Sequence, residues 1–340
     1  MAEGLPRSEK TAVPSVPEAI GTYPWAHKEH HGKGSFQNIW GPYNEPTGWQ
    51  AAGWIMGRSW KKEKSQKTAF QKVDPAVLTS RSEPYRVFWL GHATALIQSG
   101  GLNILTDPIF EERASPLKSF GPERQTGVPL SPADLPAIDV VVISHNHYDH
   151  LSEKAIRLLA GRPGTLFLVP LGLAALLKSW GVSRVLELDW WQYVDIKAHR
   201  FSATPVQHFS SRSLTDRNET LWTGWYIHAR RSDRRFYFAG DTGYGPFFRE
   251  TRERLGRVDL ALIPIGAYRP RWFMQIVHVD PPEALRAAPD LEARHVLPIH
   301  WGTYDLADEP LHEPIQLLRQ TANDYKGTII DIPVGGSFKP

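Results

Sequence analysis

Ser144-His145-Asn146-His147-Tyr148-Asp149-His150 places four potential metal ligands within six residues. Neutral imidazoles and carboxylates are the donors that divalent zinc, iron or manganese accept when thiolates are absent. Four such groups crowd one tetrahedral ion but can serve two ions a few ångströms apart. Alternate residues of an extended segment point to one side, so His145 and His147 can hold one ion. Asp149 and His150, beyond a turn, can face a second. The run ahead of them, Asp139–Ser144, reads as a buried strand, and strand ends are where α/β proteins build sites. A polar loop with chance histidines is the plain alternative, and the strand-end position argues against it.

Three more candidates follow strand-like runs. His208 closes Thr204-Pro205-Val206-Gln207-His208. Asp241 lies in Phe238-Ala239-Gly240-Asp241-Thr242-Gly243, where glycines allow a tight turn. His300 closes Leu297-Pro298-Ile299-His300. One such residue alone would more often be structural. Three independent strand ends delivering His, Asp and His are hard to explain by core packing.

The elements that must position these groups alternate along the chain. Val87–Leu90, Ala95–Gln98 and Leu102–Thr106 read as early strands, with Ser99-Gly100-Gly101 as a turn. Ser152 suits the cap of a helix running to Ala160. Leu166–Val169 reads as a strand and Gly172–Trp180 as a helix stopped by Gly181. Val185–Leu188, Phe201–Val206, Leu221–His228, Arg235–Ala239, Leu260–Ile263 and Val296–Ile299 read as further strands. Phe247–Leu255, Pro282–Ala288 and Leu311–Tyr325 read as helices. So many strands among helices favour an α/β sandwich with two sheets over a single sheet.

Composition sets outer bounds. The chain has 340 residues, 41% hydrophobic and 22% charged, enough for a large core. A formal charge of +3 without a dense Lys/Arg block gives no basis for nucleic-acid binding. There are no cysteines, so any metal must be held by His and carboxylate. The N-terminus has no apolar core that would mark a signal peptide, and no apolar run approaches the ~20 residues of a transmembrane helix. A cytoplasmic protein, peripherally membrane-associated at most, is the expectation. Residues 1–33 are rich in Pro, Gly and charge and read as a mobile arm. Residues 34–83 carry Phe36, Trp40, Trp49, Trp54, Ile55, Met56 and Trp60, followed by Lys61, Lys62, Lys64 and Lys67. Aromatics beside lysines suit a membrane interface, and equally a segment packed on the core. The remaining stretch, 84–340, reads as the catalytic domain.

The order HxHxDH, later His, Asp in a GDTG turn, and a last His resembles the metallo-β-lactamase superfamily. The resemblance implies an αββα sandwich of two mixed sheets flanked by helices. It implies one metal on His145, His147 and His208, a second on Asp149, His150 and His300, and Asp241 bridging both. Longer blocks sharpen it: GHATALI (Gly91–Ile97), LTDPIF (Leu105–Phe110), ELDWW (Glu187–Trp191), FAGDTGY (Phe238–Tyr244), IPIGAYRPRWFMQIVHVDP (Ile263–Pro281) and IHWGT (Ile299–Thr303). These look like the N-acylphosphatidylethanolamine-hydrolysing phospholipase D family. The implied reaction is metal-dependent phosphodiester hydrolysis of a phospholipid, with a hydroxide between two zinc ions as nucleophile. Asp149 is the candidate for orienting the metal-bound water that would relay a proton to the leaving group. His278 is a candidate for bonding a substrate phosphate oxygen, against a structural role on backbone. Arg269, Arg271, Trp272 and Phe273 are candidates for binding phosphate and acyl chains, against a simple packed loop. Asp107 is the candidate carboxylate behind a metal-bound imidazole, against a turn Asp before Pro108. His92 is expected to be structural or to lie behind the ligands. His27, His30, His31 and His199 receive no role. The resemblance also implies a homodimer. A hydrolase of another substrate, such as a phosphorylated sugar lactone, or a binding module with an idle metal site, are the competing readings.

Overall fold

The computed structural model describes residues 19–41, 53, 68–79, 84–117 and 119–340. Strands β1 (Gly21–Thr22), β2 (Tyr85–Gly91), β3 (Thr94–Ser99), β4 (Leu102–Thr106) and β5 (Val140–Val142) precede helix α1 (Glu153–Ala160). After α1 come β6 (Leu166–Pro170), α2 (Ala174–Ser179), β7 (Val185–Leu188), β8 (Gln192–Ile196), β9 (His199–Thr204), β10 (Gly224–Ala229) and β11 (Arg234–Phe238). The chain closes with α3 (Phe247–Leu255), β12 (Leu260–Pro264), α4 (Arg271–Met274), α5 (Pro281–Asp290), β13 (His295–Ile299), α6 (Glu313–Thr321), β14 (Thr328–Ile329) and β15 (Ser337–Phe338).

Among the described residues, fifteen strands form two mixed sheets, ordered β15-β2-β3-β4-β5-β6-β7 and β1-β8-β9-β10-β11-β12-β13-β14. In the first sheet both faces are buried, which the two-residue period of the strand makes visible. Val87, Trp89, Val140, Val142, Leu166 and Leu168 face the second sheet, in one core with Phe201, Trp225 and Tyr237. Their neighbours Phe88, Leu90, Val141, Ile143, Phe167 and Val169 face outward onto Ile156 and Leu159 of α1 and Leu177 of α2. Ser152 caps α1 by accepting from the Ala155 amide at 3.0 Å, as read from sequence. Asp280 and Glu283 form a reciprocal capping box on α5.

The topology explains how distant residues meet. β9 and β11 are both antiparallel to β10, so they run the same way. β11, β12 and β13 are parallel. The segments leaving β9, β11 and β13 therefore emerge at one edge of the second sheet, carrying His208, Asp241 and His300. In the first sheet, β5 delivers His145.

Several expectations need correction. Gln192–Ile196, Thr328–Ile329 and Ser337–Phe338 are strands, and Arg271–Met274 a short helix, that local pattern did not reveal. The strand expected from Leu221 starts at Gly224. Residues 19–33, the described part of the stretch expected as an arm, pack against the rest of the chain. β1 pairs with β8 at Gly21 and Thr22. His30 is buried, bonds Asp189 at 2.6 Å and stacks on Trp190 at 4.1 Å. His31 bonds the other oxygen of Asp189 at 2.8 Å. Polar residues read as an arm are thus a clasp, because their partners lie some 159 residues away, beyond the reach of local pattern. Phe36 and Trp40 pack on the main core, Trp40 against Trp190 and Phe247. Trp49, Trp54, Trp60 and the lysines from Lys61 to Lys67 lie outside the described residues. Among the described residues no helix is long and apolar enough to cross a membrane.

Candidate metal centre

All seven ligand candidates converge at the shared edge of the two sheets. The nitrogens of His145, His147 and His208 face each other: His145 Nε2 lies 2.8 Å from His147 Nδ1, and His208 Nε2 lies 3.3 Å from the same atom. Beside them, Asp241 Oδ2 sits 3.1 Å from both His150 Nε2 and His300 Nε2, and 3.9 Å from His208 Nε2. Asp149 Oδ2 completes the second group, 3.4 Å from His150 Nε2 and 3.3 Å from His300 Nε2. Ligands held about 2.0–2.1 Å from a tetrahedral ion stand about 3.3 Å apart. The observed edges suit two adjacent ions, with Asp241 within reach of both.

Hydrogen bonding fixes which nitrogens are free. Val277 O can only accept, so His208 must donate from Nδ1 (3.0 Å), leaving its Nε2 lone pair pointing inward. Asp107 Oδ2 accepts from His150 Nδ1 at 2.7 Å, which does the same for His150 Nε2. Asp241 Oδ1 is buried without a hydrogen-bond partner, and His150 Nε2 and His300 Nε2 stand within ion-pair distance of Asp241 and Asp149 but without the alignment of a hydrogen bond. Orphaned buried donors and acceptors are costly, and a shared divalent cation satisfies all three atoms together. The donor set therefore fits the two ions that the sequence implies.

The electrostatics agree. Burial holds His145 and His208 well below the usual histidine range and takes His147 down to about 4, so these rings stay neutral and can donate lone pairs. Burial works against the charge of Asp241, but His150 and His300 hold its carboxyl well below the usual range. Burial likewise opposes protonation of His300, yet Asp241 and Asp149 raise it to about 9. These two carboxylates, Asp241 buried and Asp149 partly so, thus demand positive charge, and a metal ion competes with protons to supply it.

The supporting shell is built from backbone that few residues tolerate. His92 (φ +52°), Asp107 (φ +29°) and His300 (φ +63°) all adopt left-handed conformations. His92 holds two ligands: its Nε2 lies 3.0 Å from Asp149 Oδ2, and its carbonyl accepts from the His300 amide at 3.0 Å. Asp107 is fully buried and also accepts from Ser144 N (2.7 Å) and Ser144 Oγ (2.5 Å). Ser144 Oγ in turn lies 2.9 Å from His145 Nδ1. Gly240 allows this closeness, since a Cβ there would stand 2.4 Å from Ser144 Cβ.

The other candidates separate. His278 is at the site: its Nδ1 lies 3.9 Å from Asp241 Oδ2, and its ring is 5.2 Å from His208. Trp272 is 54% exposed beside Phe273. The arginines do not stand free for phosphate. Arg269 pairs with Glu313 at 2.8 Å. Arg271 pairs with Glu283 at 2.7 Å and donates to His278 O at 2.9 Å, so it ties the His278 backbone to the cap of α5. Acids supplied by the following helices, invisible to motif reading, neutralise both. Sequence reading also missed Asn38, whose Nδ2 donates to His208 O at 2.9 Å across 170 residues.

Comparison with known proteins places this geometry. A family profile described as "Beta-lactamase superfamily domain" matches residues 102–301. The chain belongs to the metallo-β-lactamase superfamily. It is a metal-dependent hydrolase of that fold. An uncharacterized protein of Mycobacterium tuberculosis is 40% identical over 269 residues, 78% of this chain and 71% of that one. The "N-acyl-phosphatidylethanolamine-hydrolyzing phospholipase D 1" of Caenorhabditis elegans is 40% identical over 244 residues, 68% of each chain. The solved structure of Igni18, a metallo hydrolase from Ignicoccus hospitalis, aligns with TM-score 0.57 at 20% identity, over 75% of this chain and 98% of that one. That last likeness speaks to the metallo-β-lactamase fold alone.

Proposed function

We propose that the protein is a zinc-dependent phosphodiesterase of the phospholipase D type. Its substrate would be N-acylphosphatidylethanolamine, cleaved to N-acylethanolamine and phosphatidic acid. The carrying observation is the 40% identity to the nematode phospholipase D over 244 residues, in a chain whose seven His/Asp side chains gather at one edge of the two sheets. His145, His147 and His208 would hold one ion, and Asp149, His150 and His300 the other, with Asp241 shared. Iron or manganese would suit the same donors. When bound, two such ions supply Lewis acidity and bring the pKa of water from ~15.7 toward ~7.

The chain's own residues have distinct tasks. Among the three site carboxylates, Asp107 and Asp241 are sealed, with side chains 0% and 2% exposed, whereas Asp149 is 14% exposed. Asp149 is therefore where a proton can pass between the attacking water, the leaving alkoxide and solvent. His278, its side chain 11% exposed at the margin, would give a hydrogen bond to a phosphate oxygen. Trp272 and Phe273 offer apolar surface to acyl chains or to the bilayer that presents them. The undescribed stretch Trp49–Trp60 with its lysines is assigned the same peripheral role.

The test is mass-spectrometric product analysis on vesicles containing N-acylphosphatidylethanolamine, with wild-type protein and His147→Ala. Paired release of N-acylethanolamine and phosphatidic acid, lost in the variant, is expected. Turnover of a generic phosphodiester but not of the lipid would reject the substrate and keep the hydrolase.

A further inference from the structure

We propose that Arg212 is a positioning residue for the metal centre, a staple that fixes the ligand loop and sets it against the segment carrying His208. The inference rests on the metal-binding reading of the site and goes beyond it.

The loop after β5 concentrates three of the ligand candidates, His147, Asp149 and His150, in one turn. The turn has its own hydrogen bonds, from His150 N and Leu151 N to His147 O at 3.1 and 2.9 Å. What it lacks is closure of its two ends. Arg212 provides this with a single nitrogen: Nη1 donates to Asn146 O and to Leu151 O, each at 2.8 Å. Those carbonyls flank the residues from His147 to His150. One NH2 group thus spans the stretch that carries the three ligands, its two N–H bonds held in the guanidinium plane that the aromatic neighbours orient, which the freely rotating ammonium of a lysine does not offer.

Arg212 is itself anchored. Its guanidinium carbon lies 4.0 Å from the Tyr148 ring centroid and 5.3 Å from that of Trp180, so aromatic faces fix its plane. Tyr148 Oη donates back to Arg212 O at 3.1 Å. Asp216 accepts from the Arg212 amide at 3.0 and 3.1 Å and from Ser213 N at 2.7 Å, which fixes the turn bearing the arginine. Next to it, Ser211 N donates to Asn146 Oδ1 at 2.8 Å. The segment that starts at His208 is therefore locked to the loop that starts at His145. This matters most for the ion that His145, His147 and His208 would share, because its ligands come from both segments. A slip of either segment would separate His208 Nε2 from His147 Nδ1, now 3.3 Å apart.

The test measures metal, not turnover. Wild type, Arg212→Ala and Arg212→Lys are stripped, reloaded with Co(II) and followed by optical titration, with metal content by elemental analysis and thermal melts of the apo forms. Wild type should take two ions. Arg212→Ala should bind the His145/His147/His208 ion at least about tenfold more weakly, as for loss of a group that orients ligands, with altered Co(II) ligand-field bands. Arg212→Lys should fall between. Millimolar guanidinium added to Arg212→Ala should restore part of the affinity and the bands, which a general loss of stability would not allow. Folded Arg212→Ala that binds both ions as wild type does, or guanidinium that restores nothing, overturns the staple. Wild type that takes no ion would instead overturn the metal-centre reading on which it rests.

Discussion

Asp107→Asn is the sharpest probe of how the fold prepares the ligands. Asp107 has no exposure and accepts from three donors, Ser144 N, Ser144 Oγ and His150 Nδ1, between 2.5 and 2.7 Å. The amide is nearly isosteric, so packing is kept. It removes the charge and turns one acceptor into a donor that must face an existing donor. A charge-assisted hydrogen bond is worth about 1.5–3 kcal/mol, which corresponds to about 10–100-fold in metal affinity when it orients a ligand. The loss should fall first on the ion held by His150, and less on the one held by His145, which Asp107 reaches only through Ser144. Competition with a chromophoric chelator gives both dissociation constants. Constants that both stay within about threefold of wild type, under about 0.7 kcal/mol, would refute the idea that Asp107 orients His150.

Asp149→Asn should lose far more kcat than substrate affinity, with metal content measured alongside; near-normal turnover in a fully metallated variant contradicts the proton-relay role. His199, away from the metal centre, is held down to about 4 by burial. Its folded pKa lies below the unfolded value near ~6.5, so the unfolded chain takes the proton first. Stability should therefore drain away by up to about 3 kcal/mol as pH falls from about 6.5 to about 4, and His199→Gln should flatten that part of a urea-denaturation pH profile. Asp189→Ala should release the clasp made with His30 and His31, costing about 1–3 kcal/mol locally. Faster hydrogen exchange between Tyr23 and Trp40 would register it, and unchanged exchange would show that Trp190 stacking suffices. Trp272→Ala should raise KM for vesicle substrate more than for a short soluble diester; an equal effect on both assigns Trp272 to packing.

What was legible in the sequence follows from range. HxHxDH is a local pattern behind a strong apolar strand, so both element and chemistry show in a few residues. His208, Asp241 and His300 were found because each follows a buried strand, and sheet topology then brings them to one edge. The αββα architecture came with the resemblance and with strand count. The ion pairs of Arg269 and Arg271 were not legible because their partners, Glu313 and Glu283, sit on other elements, and motif reading sees side chains but not what they pair with. The clasp on Asp189 and the bond from Asn38 to His208 were invisible for the same reason. Short edge strands such as Thr328–Ile329 leave almost no periodic signal.

The most direct test of the account is anomalous diffraction from crystals of the metal-loaded protein, collected on both sides of the metal's absorption edge. Two peaks a few ångströms apart are expected. One should lie among His145, His147 and His208, the other among Asp149, His150 and His300, with Asp241 between them. A single peak, or peaks at His30, His31 and Asp189 instead, would contradict it.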